Sequence, residues 1–372
     1  MQYREFGSTG FKISALGFGA MRLPEYEKNG KWHINEDECL EVIHHAFDLG
    51  VNYIDTAIMY CHENSQYIVG KAIKGYRDMV RVSTKLATGR VNSEDDFWRC
   101  LDESMKRLDV DCIDFYHIHG LNKNVMENKV YKHNLLDCLE KAKQKGLIAH
   151  KSFSFHDKPE EMIRFIDTGA FDSVLCQYNL LDRSNEKALA YARSKGLGTV
   201  TMGPVAGGRL AVTSEVLKEL VGNASGTPEI ALRFVLANSN VNCALSGMST
   251  IQMVDENVAT ASRVDEISSG EWAIIGDTLE QMKAMSDLYC TGCDYCQPCP
   301  KGINISRLFT TYNYHKIYGI TEFAKKEFAR HGKDEKFGSD PRECVKCGEC
   351  TEKCPQNIDI PEKIHMAIEE LS

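Results

Sequence analysis

The sequence predicts an α/β fold: a (β/α)8 TIM barrel, followed by a small, mostly helical domain built around cysteines. Three observations carry this reading. Short apolar strands alternate with amphipathic helices from residue 16 to residue 262, and eight strand–helix units over about 250 residues is the count for a closed parallel barrel. An open doubly wound sheet would show a glycine fingerprint after its first strand; here Gly17-Phe18-Gly19-Ala20-Met21-Arg22 has no third glycine and opens no helix. Finally, two cysteine runs crowd the C-terminal end.

The elements follow in order. Residues 3–13, with a Ser8-Thr9-Gly10 turn, read as a hairpin that plugs the barrel floor. Strands are expected at 16–21, 51–56, 81–86, 113–119, 151–156, 173–178, 198–202 and 242–247. Helices are expected at 36–48, 93–108, 135–145, 159–167, 184–195 and 228–238, with Asn35 and Ser93 as N-caps and Gly50, Gly146 and Gly196 as stops. An extra helix at 271–285 precedes the cysteine domain. The expected division is 1–285 for the barrel and 286–372 for the second domain, which is helical over 305–330 and looser over 331–341.

Cys344, Cys347, Cys350 and Cys354-Pro355 reproduce the bacterial ferredoxin run C-x2-C-x2-C-x3-C-P; Cys290, Cys293, Cys296 and Cys299-Pro300 differ by one residue before the last cysteine. In such runs three thiolates converge on one [4Fe–4S] cluster and the fourth reaches its neighbour. The expected ligand sets are therefore Cys290, Cys293, Cys296 and Cys354 for one cluster, and Cys344, Cys347, Cys350 and Cys299 for the other. The Cys299-Pro-Lys-Gly-Ile-Asn-Ile and Cys354-Pro-Gln-Asn-Ile-Asp-Ile segments suggest a pseudo-two-fold, ferredoxin-like domain. Structural zinc uses four ligands per site, commonly two C-x2-C pairs, and has no use for the third cysteine or the Cys-Pro ending. Disulfides require an oxidising compartment, and the first residues carry no signal-peptide pattern.

The chain has 372 residues, 43% of them hydrophobic and 26% charged, as in an ordinary globular protein. No apolar stretch is long enough to span a bilayer. A net charge of −9 argues against nucleic acid as a partner. Of the seven cysteines outside the runs (Cys39, Cys61, Cys100, Cys112, Cys138, Cys176 and Cys243), most read as small buried hydrophobes. Together these features predict a cytoplasmic protein.

Catalytic groups of a barrel sit at the C-terminal ends of its strands. Strand two ends in Asp55-Thr-Ala-Ile-Met-Tyr60, strand three in Ser83-Thr-Lys85 and strand four in His117-Ile-His119. Side chains two apart share a face, so Phe115, His117 and His119 point one way and Ser83 points with Lys85. A phenol with a pKa near ~10 is a poor acid at neutral pH. An ammonium beside it favours the phenolate, and a carboxylate holds the ammonium. Taken alone, a buried Asp–Lys pair is more often structural; Tyr60 and His119 at matching strand ends reverse that reading. His117 reads as a hydrogen-bonded core histidine. His62 and His156 flank the mouth, as substrate contacts or as plain loop residues.

On these residues the chain resembles the aldo-keto reductases, beginning at Leu16-Gly-Phe-Gly-Ala-Met and extending to about residue 285. It then resembles their iron–sulfur branch with a C-terminal ferredoxin-like domain. The resemblance implies that Tyr60 donates the proton, Lys85 and Asp55 tune it, and His119 orients the carbonyl. For a nicotinamide cofactor it implies contacts at Gly19, Met21, Ser154, Gln177 and Met202. It further implies a pyrophosphate loop at Pro204, Gly207 and Gly208, and an adenosine segment at Ser249, Glu256 and Asn257. Phe155 stands where the family has Asn, and Met202 where many members stack a tyrosine. Members that hold a 2′-phosphate have Lys and Arg at the positions of Gly247 and Met253, so NAD(H) is favoured over NADP(H).

The expected function is hydride transfer between a nicotinamide cofactor and a small carbonyl or alcohol substrate, with two [4Fe–4S] clusters bound at the C-terminal domain. The alternative is an electron-transfer protein whose clusters exchange electrons with a redox partner protein, the barrel serving as a docking or sensing module. A third reading keeps the enzyme and makes the clusters structural. No nucleic acid and no membrane are expected among the partners.

Overall fold

The computed structural model describes residues 1–28, 31–180, 182–206, 210, 226–263, 276, 296–316, 318–354 and 358–372. The chain forms two compact units, Met1–Gly207 with Ala231–Ile267, and Gly208–Ile230 with Ser268–Ser372.

In the first unit eight parallel strands close into a barrel in chain order: Leu16–Gly19, Tyr53–Asp55, Arg81–Leu86, Ile113–Leu121, Ile148–Phe155, Ser173–Gln177, Gly198–Met202 and Cys243–Ser246. The last strand pairs with the first through Ala244 and Leu16. The crossover helices are Glu36–Asp48, Ser65–Ala72, Glu94–Leu108, Leu135–Gln144, Pro159–Asp167, Glu186–Ser194 and Thr227–Ala237, with Ile251–Ser262 after the last strand. Gly50, Gly146 and Gly196 all take the left-handed conformation after helix ends. Ser93 caps its helix by accepting from the Asp96 amide at 3.2 Å. Asn35 occupies the N-cap position but makes no cap bond; its amide donates to Glu38 at 2.7 Å instead.

The N-terminal strands Tyr3–Glu5 and Lys12–Ser14 pair as an antiparallel hairpin, and Phe6 drops from it into the barrel floor. That ring is fully buried, with centroids 5.1 Å from Phe115 and 6.1 Å from Tyr53. Gly198 makes the insertion possible, because a Cβ there would lie 2.4 Å from the Phe6 ring. Losing such a buried ring costs about 3–5 kcal/mol. Ile13, Leu175, Val200, Cys243 and Leu245 complete this layer.

Several boundaries move. The first strand stops at Gly19, two residues short of expectation, and the fifth begins three residues early at Ile148. A second hairpin, Glu25–Lys28 with Lys31–Ile34, follows the first strand. The stretch after the fourth strand, which carries no readable sequence signature, forms a π-helical turn at Met126–Tyr131.

In the second unit helices Ile305–Lys316, Thr321–Phe328 and Ile360–Leu371 enclose Leu308, Phe309, Tyr312, Ala324, Phe328, Ile364 and Leu371. The helix expected over 305–330 is thus two helices. The helix expected at 271–285 lies outside the described residues. No described helix is long and apolar enough to cross a membrane.

Candidate active site and cysteine cluster

Asp55 ends the second strand and Lys85 lies near the end of the third, both essentially buried. The Lys85 ammonium donates to Asp55 Oδ2 at 2.6 Å and to the Thr56 carbonyl at 2.9 Å. Ser83 donates to the other carboxylate oxygen at 2.8 Å, so both oxygens of Asp55 are engaged. Burial pulls the Lys85 pKa down, but the charges of Asp55 and Tyr60 and the hydrogen bonds to them more than offset it, and the net shift is upward. The ammonium stands 4.8 Å from the centroid of the Tyr60 ring. His119 meets that ring edge-on, 6.3 Å between centroids. Burial, then Lys85, pulls the His119 pKa down to about 3, so its imidazole is neutral at neutral pH and offers one N–H. The structure therefore brings Asp55, Tyr60, Lys85 and His119 together.

The loop after Tyr60 is held in an unusual path. Cys61, His62 and Glu63 all have positive φ, a conformation that non-glycine residues seldom adopt. Glu63 is fixed by Arg107, which donates to its carbonyl at 3.0 Å and its carboxylate at 3.1 Å, and by Arg90. His62 bonds Glu25 at 2.9 Å and stacks on Trp32 of the second hairpin, 5.5 Å between centroids. His62 is thus a loop brace, a role that sequence reasoning left open.

His117 departs from expectation. It is fully buried beside Lys85 on the adjoining strand, where no side chain meets either ring nitrogen and the Phe153 backbone is the one polar group that engages the ring. Burial first, then Lys85, pulls its pKa down to about 3, while the Phe153 backbone favours its charge.

The expected nicotinamide residues line the same end of the barrel. Gly19 pairs with Asp55, Met21 is 58% exposed on the following loop, and Gln177 pairs with Met202. The Ser154 hydroxyl accepts from the Gly120 amide at 2.8 Å and keeps its own proton to donate. Gly203, with φ +64, lets the chain pass Gln177, whose amide would lie 2.9 Å from a Cβ there. Pro204 is buried; Gly207 and Gly208 lie outside the described residues. Thr250 caps the helix Ile251–Ser262 by accepting from the Met253 amide, with Ser249 just before it. Glu256 accepts from Gln252 and Asn257 donates to Ser246.

Arg22 went unnoticed in the sequence. A Cβ on Gly247 would lie 3.7 Å from Arg22 Cβ, so a cation stands beside the position where a 2′-phosphate is held in the resemblance. Arg263 ends the helix Ile251–Ser262, roughly 18 Å along the axis from its N-terminus, and cannot serve there. The mouth also carries a cavity of about 420 Å3 lined by Asn122, Lys123, Asn124, Glu127, His156 and Asp157. No spacing in the sequence marks it, because its residues come from two loops.

In the second unit Cys299, Cys344, Cys347 and Cys350 line one cavity together with Cys296. Cys354 follows the short helix Glu349–Glu352; Cys290 and Cys293 lie outside the described residues. Among the described residues no trio of His, Cys, Asp or Glu is close enough to hold a single metal ion. Thiols spread around a cavity suit an iron–sulfur cube better than one zinc ion. Six of the seven other cysteines are buried, Cys112 partly so.

Residues 15–280 match the aldo/keto reductase family, and residues 289–358 match the 4Fe-4S dicluster domain. L-galactose dehydrogenase of Arabidopsis thaliana is 26% identical over 315 residues, covering 77% of this chain and 94% of that protein. An aldo-keto reductase from Bacillus halodurans in its holo form is 25% identical with a TM-score of 0.64, covering 74% and 96% of the two chains. One from Klebsiella pneumoniae in complex with NADPH shares the fold at 22% identity and a TM-score of 0.62, covering 74% and 94%. With the closed barrel and the cysteine-lined cavity beside them, these matches show that the chain belongs to the aldo/keto reductase family of oxidoreductases and carries a C-terminal 4Fe-4S dicluster domain.

Proposed function

We propose that this chain moves a hydride between a nicotinamide cofactor and a carbonyl or alcohol substrate, with Tyr60 as the proton donor for reduction. One observation carries the reading: a buried, charge-paired ammonium lies against the Tyr60 ring, with a neutral imidazole across from it. Bound in its reduced form, the nicotinamide supplies the hydride to the carbonyl carbon. Tyr60 Oη then gives its proton to the carbonyl oxygen, and the Lys85 ammonium stabilises the phenolate that remains. Asp55 keeps Lys85 charged and in place. The His119 N–H orients the carbonyl oxygen, acting as a neutral donor. Ser154 and Gln177 are the side chains that would hold the carboxamide, and Ser249, Glu256 and Asn257 would meet the adenosine.

The cavity at the mouth supports a polyhydroxylated substrate, since Asn124, Glu127 and His156 offer hydrogen bonds there. The sugar substrate in the name of the Arabidopsis relative points the same way. The domain bounds 1–285 and 286–372, a cytoplasmic location and two clusters belong to this reading. The clusters, when bound, offer one-electron chemistry or folding energy to a small domain. Exposure of Cys347 favours, as a second reading, electron exchange with a redox partner protein.

Tyr60→Phe is the test. The ring keeps its volume and loses its transferable proton, so nicotinamide binding should persist while carbonyl reduction falls by about 10²-fold or more. Undiminished turnover would overturn the proposal.

A further inference from the structure

The second hairpin carries two exposed aromatic rings, Tyr26 and Trp32, at the catalytic end of the barrel. Its register sets Glu27 opposite Trp32 and Glu25 opposite Ile34. Side chains alternate along a strand, so Glu25, Glu27, Trp32 and Ile34 share one face. That face meets the loop behind Tyr60. The Trp32 indole and the His62 imidazole lie nearly parallel, 5° between planes and 5.5 Å between centroids, and Glu25 anchors the imidazole at 2.9 Å. Two residues of chain, roughly 7 Å at full extension, separate His62 from Tyr60.

Bracing His62 accounts for one face of the indole. It does not account for the rest: Trp32 is 50% exposed, although an indole is among the largest apolar groups a chain can bury. Met59, immediately before Tyr60, is 56% exposed. Met21 is exposed too, but the nicotinamide is its expected partner; Trp32 and Met59 have no such role. An exposed apolar rim thus adjoins a mouth where Asn124, Glu127 and His156 offer hydrogen bonds, and a ligand that suits both must be polar at its edge and apolar on a face. A closed sugar ring is such a ligand, because its hydroxyls project around the edge while C–H bonds collect on a face about as broad as an aromatic ring. An open-chain polyol has to freeze its rotors to present the same patch.

We propose that Trp32 is a specificity-determining residue: its outer face stacks against the closed ring of a cyclic carbohydrate bound at the mouth, and the Glu27 carboxylate beside it accepts from a ring hydroxyl. The proposal rests on the reading of the mouth as the site of a polyhydroxylated substrate and adds the closed ring to it. His62 then joins the two parts of the site, since it carries the stacking ring on one side and the Tyr60 loop on the other.

The test uses the full-length, anaerobically purified protein saturated with NADH. Inositols and methyl hexopyranosides, as closed rings, and hexitols, as open chains of matching carbons and hydroxyls, are titrated calorimetrically. None of these holds a carbonyl, so none can accept hydride and only binding is read. At least one closed ring should bind saturably and about tenfold or more tighter than the hexitols, a preference that Trp32→Leu should reduce to within about twofold and Trp32→Tyr should largely keep. A loss confined to the Tyr60 loop would weaken rings and open chains alike. No saturable ring binding, hexitols bound as tightly as rings, or a preference that survives Trp32→Leu would each overturn the proposal. Circular dichroism checks the fold of each variant; should Trp32→Leu unfold, Trp32→Thr, whose side chain suits a strand, must lose the preference instead. Glyceraldehyde reduction by NADH, with Tyr60→Phe as its control, tests the proposed hydride transfer separately. Reduction without ring preference overturns the stacking proposal alone, and Trp32-dependent ring binding without any reduction overturns the hydride transfer alone.

Discussion

Asp55→Asn removes one charge and almost no volume from the centre of the site. Lys85, 2% exposed, is left with the Thr56 carbonyl at 2.9 Å and the face of Tyr60. Breaking a buried pair from one side costs about 3–5 kcal/mol, because the remaining charge stays buried and unpaired. At roughly 2–4 °C per kcal/mol for a domain of this size, the barrel's Tm should fall by roughly 6–20 °C at pH 7. The pH dependence gives the effect a signature. Burial works to lower the Lys85 pKa, and the charge and bonds of Asp55, with Tyr60, raise it overall. A raised folded value means that the pair's contribution is fully present below the unfolded lysine value of ~10.4 and is lost as pH rises through the folded one. Without Asp55 burial prevails and the lysine can shed its proton. The variant's deficit should therefore be largest near neutrality and shrink toward pH 10. Thermal unfolding followed by far-UV circular dichroism at pH 7 and pH 10 measures both. Asp55→Asn with Lys85→Met removes the stranded ammonium and should recover at least half of the loss. A Tm within about 2 °C of the wild type at pH 7, or a double variant no more stable than Asp55→Asn alone, would refute the reasoning.

Three further outcomes are expected. His117→Leu removes a fully buried imidazole that no side chain hydrogen-bonds and should stabilise the barrel by about 1–3 kcal/mol at pH 7. Because burial, then Lys85, holds His117 near a pKa of 3, the unfolded chain alone takes up that proton as pH falls below ~6.5, at about 1.4 kcal/mol per pH unit. The variant should thus lose stability less steeply from pH 6.5 to 4, and a marked drop in Tm at pH 7 would contradict this. Anaerobically purified protein should contain close to eight irons and eight sulfides per chain, about two four-iron clusters, and Cys347→Ser should lose the cluster it shares with Cys299 first; stoichiometric zinc with little iron would sink the assignment. NADH should bind at least as well as NADPH, and Gly247→Lys with Met253→Arg should shift preference toward NADPH; a strong wild-type preference for NADPH that disappears in Arg22→Ala would give the phosphate to Arg22 instead.

The barrel was legible because each of its strands is a short apolar run between helix signals, and parallel strands buried on both faces leave that mark. Strands three and seven fall at the expected residues. The floor plug was legible from a hairpin ahead of the first strand, and Gly198 explains why the seventh strand receives it. The second hairpin was missed although Asn29-Gly30 between Tyr26 and Trp32 is a hairpin turn signal. Its residues alternate charged and aromatic side chains with little apolar periodicity. Asp55, Tyr60 and Lys85 were legible because strand ends converge on one mouth. The state of His117 was not, since hydrogen bonding inside a barrel depends on which layers face one another. Arg22 was hidden for a related reason: the Gly247 beside it is distant in sequence.

The loop behind Tyr60 shows why matching the four side chains alone does not specify the site. Three consecutive non-glycine residues at positive φ cost about 1–3 kcal/mol each, and nothing in Cys61-His62-Glu63 favours that path locally. The surroundings impose it. Arg107 and Arg90 clamp Glu63, Glu25 and Trp32 hold His62, and the Cys61 thiol turns inward to the Ala20 and Met21 carbonyls. These partners come from the third strand–helix connection, the third helix, the second hairpin and the first strand's exit, so the geometry of Tyr60 is fixed by four separate parts of the barrel. Proton transfer requires the phenol to be positioned to within tenths of an ångström of its acceptor. A relaxed loop of ordinary backbone would leave the phenol on a flexible tether; the strained one is braced from four sides, with the ring 4.8 Å from the Lys85 ammonium.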